Sequence, residues 1–210
     1  MITRGLLVRL EAKPGQEPAV EDFLRSSLIL AQQEAGTTAW FGVRFGRGEY
    51  GIFDVFPGDA ERDTHLSGAI AQALQAQGGA LFSRPPQIQK LAVLASKLPA
   101  ASVPAQDTKG LLLTFKAKAG HQQEVENFLR DAEHLVNDEP KTTAWFAIRT
   151  DDGEFGIFDV FPDNGGRFAH LAGHVPRELA KHALSLLGSV PDMEMLSIEA
   201  EKLAPVATLQ

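Results

Sequence analysis

Two kinds of periodicity alternate along this chain. Residues 6–12 form an apolar, strand-length run that ends at a turn containing Gly15. Val20, Phe23, Leu24, Leu28 and Leu30 then recur at helical spacing. Two strand-like runs fill residues 37–57. A second helix is predicted over about 60–82, with Asp59 as its N-cap, and residues 88–94 read as a closing strand.

The same order is then written again. Gly5 recurs as Gly110, Gly15 as Gly120, Trp40 as Trp145, His65 as His170 and Lys97 as Lys202, a constant offset of 105 residues with no gap. The second copy repeats the helical spacing at Val125, Phe128, Leu129 and Leu135, places its long helix at about 167–187 with Asn164 as N-cap, and closes over 193–198. Two copies of this length are a duplicated domain rather than a solenoid. The boundaries predicted are 1–98 for unit 1, a small-residue and proline linker at 99–106, 107–204 for unit 2, and a tail at 205–210.

The order βαββαβ is that of a ferredoxin-like unit. A four-stranded sheet with both helices on one face leaves its other face bare, and two such sheets can cover each other. The fold class predicted is therefore α+β: two tandem ferredoxin-like units packed sheet to sheet as an intramolecular dimeric α+β barrel. Whether this pseudo-dimer pairs again as a homodimer stays open.

The hairpin within each copy sorts its side chains. Asp151-Asp152-Gly153 suits a tight loop with Gly153 in the left-handed position, and this register sets Thr150 opposite Glu154 and Trp145 opposite Asp159. Phe146, Ile148, Phe158 and Val160 then share a wholly apolar face. Trp145, Arg149, Phe155, Ile157 and Asp159 share the other, matched in the first copy by Trp40, Arg44, Tyr50, Ile52 and Asp54. The pattern does not say which face meets the helices.

Composition narrows the chemistry. There is no cysteine, so disulfides, thiolate nucleophiles and Cys-type zinc sites are excluded. A net charge of −7 without basic runs argues against nucleic acid or an anionic membrane as partner. Neither a signal-peptide pattern nor a membrane-spanning apolar run is visible, and a cytoplasmic location is expected.

These residues resemble the antibiotic biosynthesis monooxygenase family of the dimeric α+β barrel superfamily. The resemblance rests on the strand Gly51-Ile52-Phe53-Asp54-Val55-Phe56 followed by Thr64-His65-Leu66, and on Asp159 followed by Ala169-His170-Leu171. It covers nearly the whole chain, once per half. It implies a cofactor-independent oxygenase of phenols, quinols or polyketides, with a small aromatic molecule and O₂ as partners. Haem-degrading members pair a helix His with an Asn on the first strand and a Trp on the third; this sequence has no such Asn, and its Trp lies on the second strand.

Candidate site residues follow. His65 and His170, read as early in a long helix, would be neutral and able to accept a phenol proton. Asp54 and Asp159 would orient them, or else pair with Arg44 and Arg149 as architecture. Those arginines would alternatively bind an anionic substrate. Trp40 and Trp145 would stack on an aromatic ligand, or belong to the core. Tyr50 is replaced by Phe155 in the copy, so its hydroxyl is not a shared device. His170 and His174 have the i, i+4 spacing of a metal pair, but Ala69 replaces His174 in the first copy and no metal is expected. Gly78-Gly79 interrupts the first long helix, and Pro176 enters the second near its start. The alternative to an enzyme is a non-catalytic small-molecule-binding or assembly module on the same fold.

Overall fold

A computed structural model describes residues 1–99 and 107–203; the expected linker, apart from Pro99, and the tail lie outside the described residues. The strands are β1 (Arg4–Glu11), β2 (Ala39–Gly46), β3 (Glu49–Phe56), β4 (Gln87–Lys97), β5 (Lys109–Phe115), β6 (Ala144–Thr150), β7 (Phe155–Phe161) and β8 (Asp192–Leu203). The helices are α1 (Glu17–Gln33), α2 (Asp59–Leu66), α3 (Ala69–Leu81), α4 (Gln122–Asn137), α5 (Asn164–Leu171) and α6 (His174–Leu186). In the first half the strands hydrogen-bond in the order β1-β3-β2-β8, and in the second in the order β5-β7-β6-β4.

Contacts divide the chain into two compact units: Met1–Leu91 with Leu196–Ala204, and Ala92–Met195. The first unit therefore takes the end of β8 as a strand, running antiparallel to β2 from Ala39↔Leu203 to Arg44↔Ser197. The second unit takes the end of β4 in the same way, since Lys97 lies within it. Both closing strands are longer than the apolar runs at 88–94 and 193–198, because their last residues alternate small and charged side chains such as Ala200, Glu201 and Lys202.

Within unit 1, β3 pairs with β1 and β2, and the hairpin register sets Trp40 opposite Asp54. Gly48 (φ 76°) makes the turn, with a bulge between Arg44 and Gly46. In unit 2 the register sets Trp145 opposite Asp159, and Gly153 (φ 86°) stands in the left-handed region at the loop after Thr150.

The mixed face of each hairpin is the one that meets the helices. In unit 1, Trp40, Tyr50 and Ile52 join Val20, Phe23 and Leu24 of α1 and Leu74 of α3 in one core. In unit 2, Trp145, Phe155 and Ile157 join Val125, Leu129 and Val136 of α4. These helix residues repeat at i, i+3, i+4 spacing, which gives each helix one apolar stripe. The Phe face of each hairpin is buried too, and Phe41 packs against Phe53, and Phe146 against Phe158. Sheets buried on both faces explain why β3 and β7 read as nearly unbroken apolar runs rather than as alternating ones.

The long second helix expected in each copy is broken. It is α2 then α3 in the first copy, and α5 then α6 in the second. The break falls at Ser67-Gly68 and Ala172-Gly173, where the Gly68 amide donates to the His65 carbonyl and the Gly173 amide to the His170 carbonyl. Gly78-Gly79, expected to interrupt, instead lies inside α3 without a break. Pro176 sits in the first turn of α6, where a missing N–H leaves no helical bond unmade. The N-caps lie one residue earlier than expected. They are Gly58, which has no capping side chain, and Asp163, whose carboxylate accepts from the Gly166 amide at 2.8 Å. Asp59 instead bonds Arg4 and Arg62, and Asn164 bonds Arg167.

Candidate active site

The helix break places His65 in the last turn of α2 and His170 in the last turn of α5. Both were expected at the positive end of a long helix; they stand at the negative end of a short one, which favours a cation. The surroundings reinforce this. His65 Nδ1 lies 2.6 Å from Glu34 Oε2, and Nε2 lies 3.1 Å from Asp54 Oδ2. Burial alone would depress the imidazolium, but the two carboxylates outweigh it and raise the His65 pKa to about 9. The imidazole is thus charged at neutral pH, not neutral as the sequence suggested.

Asp54 is completely buried on β3. Burial raises its pKa, opposed by His65 and reinforced by Glu34. Neither of its oxygens has an aligned hydrogen-bond donor among the described residues. Asp and His consequently titrate as a coupled pair that keeps a proton between them at neutral pH.

The second unit repeats the cluster. His170 Nδ1 lies 2.6 Å from Glu139 Oε2, and Nε2 lies 3.6 Å from Asp159 Oδ1. Burial, against a weaker pull from His170, pushes Asp159 up to about 7. Burial also works against His170 itself, but Asp159 and Glu139 raise it.

Glu34 and Glu139 are members the sequence reading missed. Each follows the end of its helix, and each accepts from a threonine hydroxyl, Thr37 at 2.7 Å and Thr142 at 2.8 Å. The helix ends that carry them are closed by lysines: Lys202 Nζ donates to the Ala31 and Glu34 carbonyls, and Lys97 Nζ to those of Val136 and Glu139. The glycines of the helix break lie close to both glutamates. A Cβ on Gly68 would stand 3.2 Å from Glu34 Oε1, and one on Gly173 only 2.7 Å from Glu139 Oε1. The signal available was the repeat itself, since Glu34/Glu139, Thr37/Thr142 and Gly68/Gly173 all match at the offset of 105.

Each Asp–His pair closes one end of an apolar cavity between sheet and helices. In unit 1 the cavity is about 260 Å³, walled by Leu6, Ile52, Leu74 and Pro86. In unit 2 it is about 340 Å³, walled by Leu111, Ile157, Leu179 and Pro191. On its other side His65 borders a surface cavity of about 420 Å³ with Glu34, Thr37 and Glu61.

The other expected residues lie elsewhere. Arg44 pairs with Glu21 and Glu199, and Arg149 with Glu126, because their strand positions face the start of α1 and of α4 rather than the aspartates. The Tyr50 hydroxyl donates to Glu21, which together with burial pushes its pKa up to about 12. Trp40 and Trp145 are core residues that line neither cavity, and their indole nitrogens are buried without a hydrogen bond among the described residues. His170 and His174 fall on different helices, so their i, i+4 spacing does not bring them onto one face. Among the described residues no group of three or more His, Cys, Asp or Glu is arranged to hold a metal ion. Both nitrogens of His65 are turned to carboxylates. No helix among the described residues is long and apolar enough to cross a membrane.

No family model matches the sequence, and no curated protein matches it. Solved structures do. A putative monooxygenase from Fusobacterium nucleatum subsp. nucleatum is 10% identical, covering 97% of this chain and 95% of its own, with a TM-score of 0.84. A putative monooxygenase from Lactobacillus acidophilus is 11% identical, covering 97% of each chain, with a TM-score of 0.81. An anthrone oxidase-like protein is 8% identical, covering 96% and 93%, with a TM-score of 0.63. At these identities the likeness is one of fold: the chain shares the architecture of proteins named as monooxygenases.

Proposed function

We propose that this chain is a cofactor-independent monooxygenase of quinol- or phenol-like aromatic compounds, with the Asp–His pair of each unit as proton acceptor. One observation carries the reading: a buried carboxylate, paired with the imidazole behind it, stands at the wall of an apolar cavity. A carboxylate so placed can accept a hydrogen bond from a ligand hydroxyl that enters the cavity.

The chemistry then runs on the substrate's own electrons. The phenol gives its proton to the aspartate, and the imidazolium beside it steadies the resulting negative charge. The phenolate passes one electron to O₂, and the phenoxyl radical and superoxide join at a ring carbon to form a C–O bond. The O–O bond then breaks as the ring C–H proton leaves. One oxygen stays as a quinone carbonyl, and the other departs as water with the phenol and ring hydrogens. No external reductant enters, so the reaction as proposed needs no cofactor. An aspartate near 7, as in unit 2, is matched to taking and returning a proton at neutral pH. Glu34 and Glu139 act as positioning residues that hold the ring with its other nitrogen toward the aspartate.

The tandem ferredoxin-like reading, with its internal pseudo-dimer and a cytoplasmic setting, belongs to the same proposal. The second reading, a binding module without chemistry, draws on one observation: both nitrogens of His65 are already answered by protein carboxylates, as in a structural histidine. Oxygen uptake on a panel of naphthols and hydroquinones separates the two. The enzyme reading expects uptake that the Asp54→Asn, Asp159→Asn double variant loses. Uptake by that variant at the wild-type rate would sink it, and phenol binding without uptake in the wild type would favour the binding module.

A further inference from the structure

The two cavities are built from equivalent positions, yet their walls differ in kind. Pro86 and Leu74 of the first answer to Pro191 and Leu179 of the second. Gln75, on the α3 wall of the first cavity, answers to Ala180 on α6. Ile88 answers to Met193. The first cavity is thus smaller and carries a neutral amide that can both donate and accept. The second is larger, has only the Asp–His pair as its polar group, and has a thioether wall that adapts to irregular shapes.

From these differences we infer that the two units take different aromatic ligands: unit 1 a two-ring phenol with a second polar group that Gln75 bonds, unit 2 a larger phenol whose remaining body is hydrocarbon. An apolar cavity of about 150 Å³ holds one benzene ring. On that scale 260 Å³ suits roughly two fused rings and 340 Å³ roughly three. The ligand's phenol faces Asp54 or Asp159 in either case. The inference rests on the proposed function for its ligand class, but not on turnover.

Anaerobic titration calorimetry of the full chain with 1,5-dihydroxynaphthalene and with 9-phenanthrol tests it. Each probe should occupy one site per chain. Gln75→Ala should weaken 1,5-dihydroxynaphthalene about fivefold, the worth of one neutral hydrogen bond, and leave 9-phenanthrol unchanged. Ala180→Gln should weaken 9-phenanthrol and create a second site for the dihydroxynaphthalene. Gln75 and Ala180 are both exposed, so neither change threatens folding. Equal stoichiometry of two for both probes, or no response to Gln75→Ala, would overturn the inference while leaving the oxygenase reading intact. Failure of every phenol to bind would overturn both, and binding as described without oxygen uptake would overturn the oxygenase alone.

Discussion

The two units hold the same three residues in the same order, yet one distance separates them. His65 Nε2 is 3.1 Å from its aspartate and His170 Nε2 is 3.6 Å from its own. In unit 1 the imidazolium is gripped from both sides. In unit 2 it leans on Glu139, whose pKa burial raises but His170 and Thr142 lower on balance, and Asp159 is left to burial and rises to about 7. Half an ångström therefore divides a site built around a held charge from one built around a loose proton. The same cluster can serve as a clamp or as a base, and its geometry decides which is the stronger role.

Activity gives the largest expected effect. Removing a general base typically costs 10²–10⁴-fold. Asp159→Asn should lower oxygen uptake more than Asp54→Asn, because its carboxylate stands 3.6 Å from its imidazole rather than 3.1 Å and is the less tied of the two. Equal losses, measured on one substrate that both units accept, would erase the distinction. Stability should show the reverse order. Removing the histidine from a buried pair costs about 3 kcal/mol, so His65→Ala should destabilise more than His170→Ala in urea titrations. The pH dependence follows. His65 has a folded pKa of about 9 above an unfolded one near 6.5, so its stabilisation is complete below about 6.5 and is lost as pH rises through about 9. Asp159 has a folded pKa of about 7 above an ordinary one near 3.8, so its contribution falls as pH rises from about 4 to 7. A melting temperature that climbed across pH 7–9, or that fell as steeply in His65→Ala, would contradict the clamp.

Smaller effects sharpen the comparison. Gly173→Ala should cost about 1–3 kcal/mol, and Gly68→Ala less, because the added Cβ meets the carbonyl oxygen of His170 at 2.8 Å in one and that of His65 at 3.2 Å in the other. Parallel thermal melts would expose a reversed order. The smallest change is at the caps. Asp163→Ala should lose about 1 kcal/mol, whereas Gly58→Ser should gain a few tenths by supplying the cap that α2 lacks.

Much of this is legible in the sequence. The alternation in 142–162 sorted Trp145 and Asp159 onto one face, because a strand's period of two leaves little choice once a glycine turn pins the register. The helix break was not legible. Thr64-His65-Leu66 and Ala69-Ile70 each read as good helix, and Gly68 between them packs against its own preceding turn and against a carboxylate 34 positions earlier in the chain. Glu34 and Glu139 escaped for the same reason: a contact between one helix end and another leaves no local pattern. The partners of Arg44 were misjudged because Arg44 and Asp54 share one face of the hairpin, and that sharing could not show α1 laying Glu21 across the same face.

The exchanged strand ends also set an order of synthesis. All of Ala92–Met195 can gather once Met195 has emerged, whereas the first unit waits for Leu196–Ala204. Until then β2 keeps an unpaired edge, the kind of surface that recruits other chains. The half made first is thus the half finished last. A chain cut between Met195 and Leu196 would leave the second site with its own strands and strip β2 of its partner in the half that carries His65, more than a hundred residues upstream.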